Sequence, residues 1–396
     1  MILQILLMRL FEGFLYYLLI TIRPSCKIIF QNYKLGRVGM RLVSLLLFIF
    51  INLYTTAHAS TQKKLVFAID VIRHGDRTPT ADIPKEPHHW LEGAGQLTAT
   101  GMQQEYQLGA SLRKKYIEQY HLLPSNYSSN MIYVRSSDAD RTLMSAQAFL
   151  MGLYPLGTGP YLPNSRQPAL PNAFQPIPLH TVSKDQETLL VAWTESPQFK
   201  ELLKTYIYPT PEWKAKSAEL QPKFAAWSQA TGIDITDLYQ LKSLGDTLSI
   251  YQIYHVALPK DLSAEDAQQI IDAGHWVFVT AFKSSKLGRV TGYSLLKAVS
   301  DDLQQASQQK TSLKYKLFSA HDSNIFSLMS AMGTPLNEPP KYASDLNILL
   351  YEVGNQSYIV RVNFNGQAVV IPACGGNTCT LAQFSSLVDN NSKNSG

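Results

Sequence analysis

Three short segments of this sequence gather side chains suited to work on an anionic ester. Arg73-His74-Gly75-Asp76-Arg77-Thr78-Pro79 sets an imidazole between two guanidinium groups in a glycine-bearing turn. Arg135-Ser136-Ser137-Asp138-Ala139-Asp140-Arg141-Thr142 carries two further arginines, and His321-Asp322 places a second imidazole beside a carboxyl group. A guanidinium is a planar fork of fixed donors that fits phosphate oxygens better than the point charge of lysine. Like charge on both sides is expected to push the His74 pKa down, leaving a neutral ring with a free lone pair even in mild acid. Neutral imidazole is a nucleophile; imidazolium is not. Asp322, when protonated, can give a proton to a leaving alcohol and then accept one from water, which ties the chemistry to low pH. Gly75 is expected to let backbone approach the ligand closely. These residue types suit hydrolysis of a phosphate monoester through a phosphohistidine on His74.

Each segment begins where a strand is expected to stop. Leu65–Ile72 is a nearly continuous apolar run broken only by Asp70, Met131–Val134 is a second, and Tyr315–Phe318 a third, all reading as buried strands. Helical spacing follows the first two, with Thr98 as an N-cap for the helix around Met102, Tyr106, Gly109, Leu112 and Tyr116. A helix over Asn324–Met332 follows the third. Strands alternating with helices give an α/β fold, a doubly wound, mostly parallel sheet with helices on both faces. In such sheets the binding crevice lies outside the carboxyl ends of the strands, so the three segments are expected to converge there. Residues 60–180 and 291–385 form this core, and residues 181–290, mainly helical and without buried-strand patterns, form an inserted cap. From Asn347 to Ile371 the pattern resembles edge strands with a hairpin turn at Asn365-Gly366, and 386–396 reads as a flexible tail.

The formal charge of +5 belongs entirely to residues 1–59, where six basic residues face Glu12 alone. The remainder is neutral, which argues against nucleic acid as a partner. Arg37 and Arg41, the 13-residue apolar run Leu42–Tyr54 and Ala57-His58-Ala59 read as a signal peptide over residues 40–59. A spanning helix needs ~20 apolar residues, so export to the periplasm or beyond the cell is expected, with membrane contact only in transit. Met40 marks the expected translation start and residues 1–39 an upstream extension, with Leu10–Ile22 as an alternative anchor. Cys374 and Cys379 flank a turn-rich spacer and are expected to form a small-loop disulfide after export, two free thiols being the alternative.

Plainer roles compete with the chemical ones. Asp322 could cap the helix that follows it, and Arg141 could pair with Asp138. Arg135 and Asp140 are assigned to ion pairing around the site, and Asp76 has no assigned role. His88-His89 lacks a ligand-like spacing, so no metal site is expected.

Taken together, the Arg-His-Gly-Asp-Arg-Thr-Pro segment and the later His-Asp pair resemble the histidine acid phosphatases, the second branch of the histidine phosphatase superfamily. Gly95–Met102 and Asp138–Ala146 resemble the matching segments of animal acid phosphatases of the prostatic and lysosomal type. The likeness extends over roughly residues 64–385 and is faint across the cap. It implies His74 as nucleophile, Arg73, Arg77, Arg141 and His321 as phosphate contacts, and Asp322 as proton donor. It also implies an α/β domain with a helical insertion, no metal and no organic cofactor, and a homodimer as one assembly found in the family. This chain departs in having a single disulfide pair outside its first segment, where animal relatives have several. Phytases of the branch are richer in cysteine and lack the acidic residue found here at Asp76, so a general acid phosphatase is favoured and a phytase or another narrow phosphomonoesterase is the alternative.

Overall fold

The structure, a computed structural model, describes residues 63–354 and 356–393. The expectations placed on residues 1–39, on the signal peptide over 40–59 and on Leu10–Ile22 lie outside the described residues.

The first strand, β1 (Lys64–Arg73), is buried almost throughout because both of its faces are covered. A register shift between Leu65 and Phe67 puts Phe67, Ile69 and Val71 into one core and Leu65, Ala68 and Ile72 into the other. Strand β3 (Tyr315–Ala320) runs parallel beside β1, and β2 (Ile132–Ser136) runs parallel beside β3. Arg73 pairs with Ala320 and Ser136 with Ser319, so the three strands stop level at one edge of the sheet.

Helices α1 (Ala99–Arg113) and α2 (Asp140–Leu153) follow β1 and β2. Thr98 caps α1, its hydroxyl accepting the Gly101 N–H at 3.1 Å. Phe149 and Leu153 of α2 bury against Leu317 and Ala68 on one face of the sheet. The other face is covered by α7 (Ser285–Ser307), α8 (Asp322–Ala331) and α9 (Leu381–Lys393), through residues such as Leu295, Ile325 and Phe384. The chain is therefore an open α/β sheet with helices on both faces.

The sheet is mixed. It is parallel where helical crossovers join β1, β2 and β3, and antiparallel from β4 (Asp345–Glu352) onward, in the order β2-β3-β1-β4-β5-β6. Strand β5 (Tyr358–Phe364) pairs with β4, and the short β6 (Gln367–Ala368) and β7 (Cys379–Thr380) pair with β5. Asn365 and Gly366 adopt φ of 49° and 78°, the left-handed pair a two-residue hairpin needs. Cys374 and Cys379 are joined as a disulfide just before α9.

Two expectations need correction. Strand β4 is not an edge strand: it lies between β1 and β5 and is buried at all but its last residue. Its pattern misleads because Asp345 and Asn347 are polar residues inside the core, where Asn347 Nδ2 donates to Asp70 Oδ1 at 2.6 Å. The described part of the 386–396 tail is the second half of α9, which buries Leu387 and Val388 against the sheet. An apolar pair one position apart within a polar stretch gave too short a pattern to show that docking.

Between β2 and β3 lie α3 (Pro197–Tyr206), α4 (Pro211–Thr231), α5 (Leu238–Ile253) and α6 (Ala264–Lys283). They share an apolar core of their own, built on Trp213, Trp227, Leu241 and Phe278. Phe278 and Phe282 pack on Phe326 of α8, with ring centres 5.6 and 5.7 Å apart, which locks this layer to the sheet. The boundary expected at 290/291 falls inside α7. Leu287 packs in the cap core and Leu295 to Leu303 in the sheet core, so one unbroken helix serves both. Helical periodicity does not change where a helix passes from one core to another.

Candidate active site

The level ends of β1, β2 and β3 bring the three chemical segments to one mouth. His74 leaves β1 with its own N–H bonded to the Ala320 carbonyl at 3.1 Å, so the turn is pinned to the end of β3. Its ring is buried, and Nδ1 lies 2.8 Å from the Gly75 carbonyl. A carbonyl oxygen only accepts, so Nδ1 carries the hydrogen and Nε2 keeps its lone pair. His74 and His321 meet edge to face, with ring centres 5.8 Å apart.

Gly75 makes a close backbone approach within the fold itself. A Cβ there would sit 2.4 Å from the Gly101 carbonyl oxygen, and a Cβ on Gly101 would sit 2.2 Å from the Asp76 carbonyl. The glycine pair lets the His74 turn lie directly on the first turn of α1, backbone on backbone. The close approach is to the backbone of a helix.

Each arginine of the mouth faces a carboxylate. Arg73 pairs with Asp322 at 3.0 Å, donates to the Pro340 carbonyl, and lies over the Tyr342 ring at 4.3 Å. Arg77 grips both oxygens of Asp246 at 3.1 and 2.9 Å. Arg141 pairs with Glu195 at 2.5 Å and reaches His321 Nδ1 at 3.5 Å. The Nε–H groups of Arg73, Arg77 and Arg141 are buried and find no acceptor among the described residues. Ser137 Oγ lies 2.9 Å from His321 Nε2 and fixes that ring from behind.

The electrostatics follow from this crowding. Burial, then Arg141, Arg73 and Arg77, hold the His74 pKa well below the usual imidazole range. His321 is pushed down to about 3 by burial and Arg141, against the opposing pull of Glu195 and Asp322. For Asp322, burial raises the pKa, but Arg73, Lys242 and His321 outweigh it, so the net direction is down. The carboxyl expected to hold its proton is therefore an ion-paired carboxylate. The reason is its direct contact with Arg73, which sequence separation hides.

Several plainer roles also resolve. Arg141 pairs with Glu195 rather than Asp138. Arg135 pairs with Glu187 at 2.8 Å, and Asp140 accepts from Gln96 rather than joining an ion pair. His321, not Asp322, occupies the N-cap of α8, and Asp322 opens the first turn. Asp76 accepts hydrogen bonds from Thr98 at 2.7 Å and from Tyr254, tying the His74 turn to the end of α5. Among the described residues, no group of three or more His, Cys, Asp or Glu side chains is arranged to hold a metal ion.

Sequence reasoning missed Glu195, Lys242, Asp246 and Tyr342. Lys242 and Asp246 left a usable signal, since an i, i+4 pair of charges shares one helix face. Glu195 and Tyr342 sit in connections with no periodicity to place them. A cavity of about 910 Å³ opens beside the mouth, reached by Arg73, Lys242, Asp246, Asp322 and Tyr342. A second, of about 810 Å³, opens past Ser137, Glu195 and His321.

Fold and site together define an open α/β protein whose strand ends hold a buried imidazole among three arginines. The chain belongs to the histidine phosphatase superfamily (branch 2), whose family model matches residues 64–365. It is 31% identical to the lysosomal acid phosphatase of Bos taurus, over 83% of this chain and 78% of that protein. It is 29% identical to the prostatic acid phosphatase of Homo sapiens, over 86% and 89% of the two chains. The solved phytase of Klebsiella sp. ASR1 superposes with a TM-score of 0.62 at 18% identity, covering 85% of this chain and 98% of that one. At that identity the likeness speaks for the fold alone.

Proposed function

We propose that this protein is an acid phosphatase that hydrolyses phosphate monoesters through a phosphohistidine on His74, with Asp322 as the proton donor. The observation that carries the reading is the hydrogen bond from His74 Nδ1 to the Gly75 carbonyl, which commits Nε2 to the mouth as an unprotonated nucleophile. Three buried guanidinium N–H groups around that ring, without an acceptor among the described residues, supply donors for the phosphoryl oxygens. Arg73, Arg77, Arg141 and His321 take the phosphate-binding roles.

In the first step Nε2 attacks phosphorus and the P–O ester bond breaks. Its electron pair stays on the alcohol oxygen, which takes the proton of Asp322. In the second step water attacks phosphorus, its proton passes to the Asp322 carboxylate, and the N–P bond breaks to release inorganic phosphate. Asp322 must therefore be protonated when substrate is bound. A phosphate draws on the Arg73 charge and adds negative charge nearby, and both effects raise the carboxyl pKa above its phosphate-free value. Low pH also delivers the ester as a monoanion whose own proton can pass to Asp322, so an acid optimum follows. Export through a signal peptide over residues 40–59, to an oxidising compartment where the Cys374–Cys379 bridge persists, completes the reading.

The test is rapid alkaline quench of the purified protein turning over a phosphorus-labelled aryl phosphate. Alkali-stable label on His74 is expected; turnover without such label would falsify the proposal. Phytate, nucleotides and aryl phosphates run side by side would separate a general phosphatase from a phytase.

A further inference from the structure

Beside the mouth, the cavity of about 910 Å³ is where the alcohol portion of a bound ester must lie, because Asp322 borders it. Two cations of this region are already neutralised, Arg73 by Asp322 and Arg77 by Asp246. Lys242, Lys283 and Lys341 also line the cavity, and none of their ammonium groups forms an ion pair or a side-chain hydrogen bond among the described residues. Glu338 is the one further acid on the wall. Lys283 and Lys341 are exposed at the rim, whereas Lys242 is half-buried on the face of α5 that looks toward Asp246 and Asp322. A largely desolvated ammonium without a carboxylate partner is costly, and an arriving anion recovers that cost. Burial holds the Lys242 pKa below its usual range against the pull of Asp246 and Asp322.

We propose that Lys242 is a specificity-determining residue that receives a second anionic group carried by the alcohol portion of the substrate. The inference rests on the phosphatase reading above and deepens it. The preferred esters carry a carboxylate or a second phosphate on the leaving alcohol, within a few bonds of the scissile oxygen. Trp276 and Tyr342 bound the same cavity and leave room for a compact carbon frame between the two charges. The rim lysines strengthen attraction at a distance, while Lys242 makes the contact that discriminates.

Three substrates with the same three-carbon frame and the same primary alkoxide leaving group isolate this contact: glycerol phosphate, phosphoglycerate and glycerol bisphosphate. The readout is the ratio of kcat/KM for each anion-bearing ester to that for glycerol phosphate, at about pH 5 where carboxylate and ammonium are both charged. The wild type is expected to favour the anion-bearing esters by about tenfold, the scale of one well-placed charge contact. K242M is expected to bring the ratio to about one, K242E to push it below one, and K242R to keep most of it. Phosphoglycerate and glycerol bisphosphate then tell whether the second anion is best a carboxylate or a phosphate. A role for Lys242 in tuning Asp322 would shift the pH profile equally for all three esters and leave the ratio unchanged; that result overturns the proposal. Failure of the wild type to hydrolyse any of the three would instead strike the phosphatase reading itself.

Discussion

Two buried polar regions lie within a few residues of each other on β1 and answer pH in opposite directions. At its carboxyl end, His74 sits among Arg73, Arg77 and Arg141, and its imidazole is kept neutral. Midway along, Asp70 faces Asp345 from β4, which in turn feels Glu105 from α1, with Lys115 as the nearby cation. Burial raises all three carboxyl pKa values, most plainly at Glu105, whose two oxygens find no partner among the described residues. In the first region protons are expelled from bases; in the second they are retained on acids. The signs follow from linkage. His321, with a folded pKa of about 3 against 6.5, favours the fold above pH 6.5 and loses that contribution as pH falls toward 3. Glu105, raised above 4.5, favours the fold below that value and loses its contribution as pH climbs through its folded pKa. Below pH 6.5 the two contributions therefore pull in opposite directions.

The largest effect should come from removing the base. H74A is expected to cut turnover of an aryl phosphate by about 10⁴-fold or more, with circular dichroism unchanged, since loss of a nucleophile removes the whole covalent route. Activity within tenfold of wild type would break the comparison at its cation-rich end. D322A comes next, with a loss of about 10²- to 10³-fold on an alkyl phosphate and far less on an activated aryl phosphate, whose leaving group needs no proton. Equal losses on both would remove Asp322 from the proton-donor role. The smallest effect sharpens the acid-rich end. E105Q replaces a buried, proton-retaining carboxyl with a neutral isostere, and is expected to stabilise the protein by about 1–3 kcal/mol at alkaline pH and hardly at all near pH 4. Denaturant midpoints for the two proteins across that range check it; parallel curves would show that Glu105 ionises freely in the fold.

How far each region could be read from sequence follows from how it is assembled. Arg73, His74 and Arg77 are contiguous, and the strand-end rule placed Arg141, His321 and Asp322 beside them, because three buried runs announced where the sheet would stop. The acid-rich region had no such signal. Asp70, Glu105 and Asp345 sit on three separate elements, and Asp345 with Asn347 made an interior strand look like an edge. The cap was legible as helical but not in its contributions, since Glu195, Lys242 and Asp246 acquire meaning only when α5 and the preceding connection fold over the mouth. The backbone contact that Gly75 makes has no signal in the sequence, as its partner, Gly101, lies 26 positions away.

The shared helix α7 has a practical consequence for anyone exchanging caps between relatives to alter substrate choice. Because Leu287 and Leu303 anchor the same rod in different cores, a chimera cannot be joined at a loop on that side. The splice must fall within the rod and preserve its phase, since a one-residue slip rotates everything beyond it by about 100° and turns one of the two apolar stripes to water.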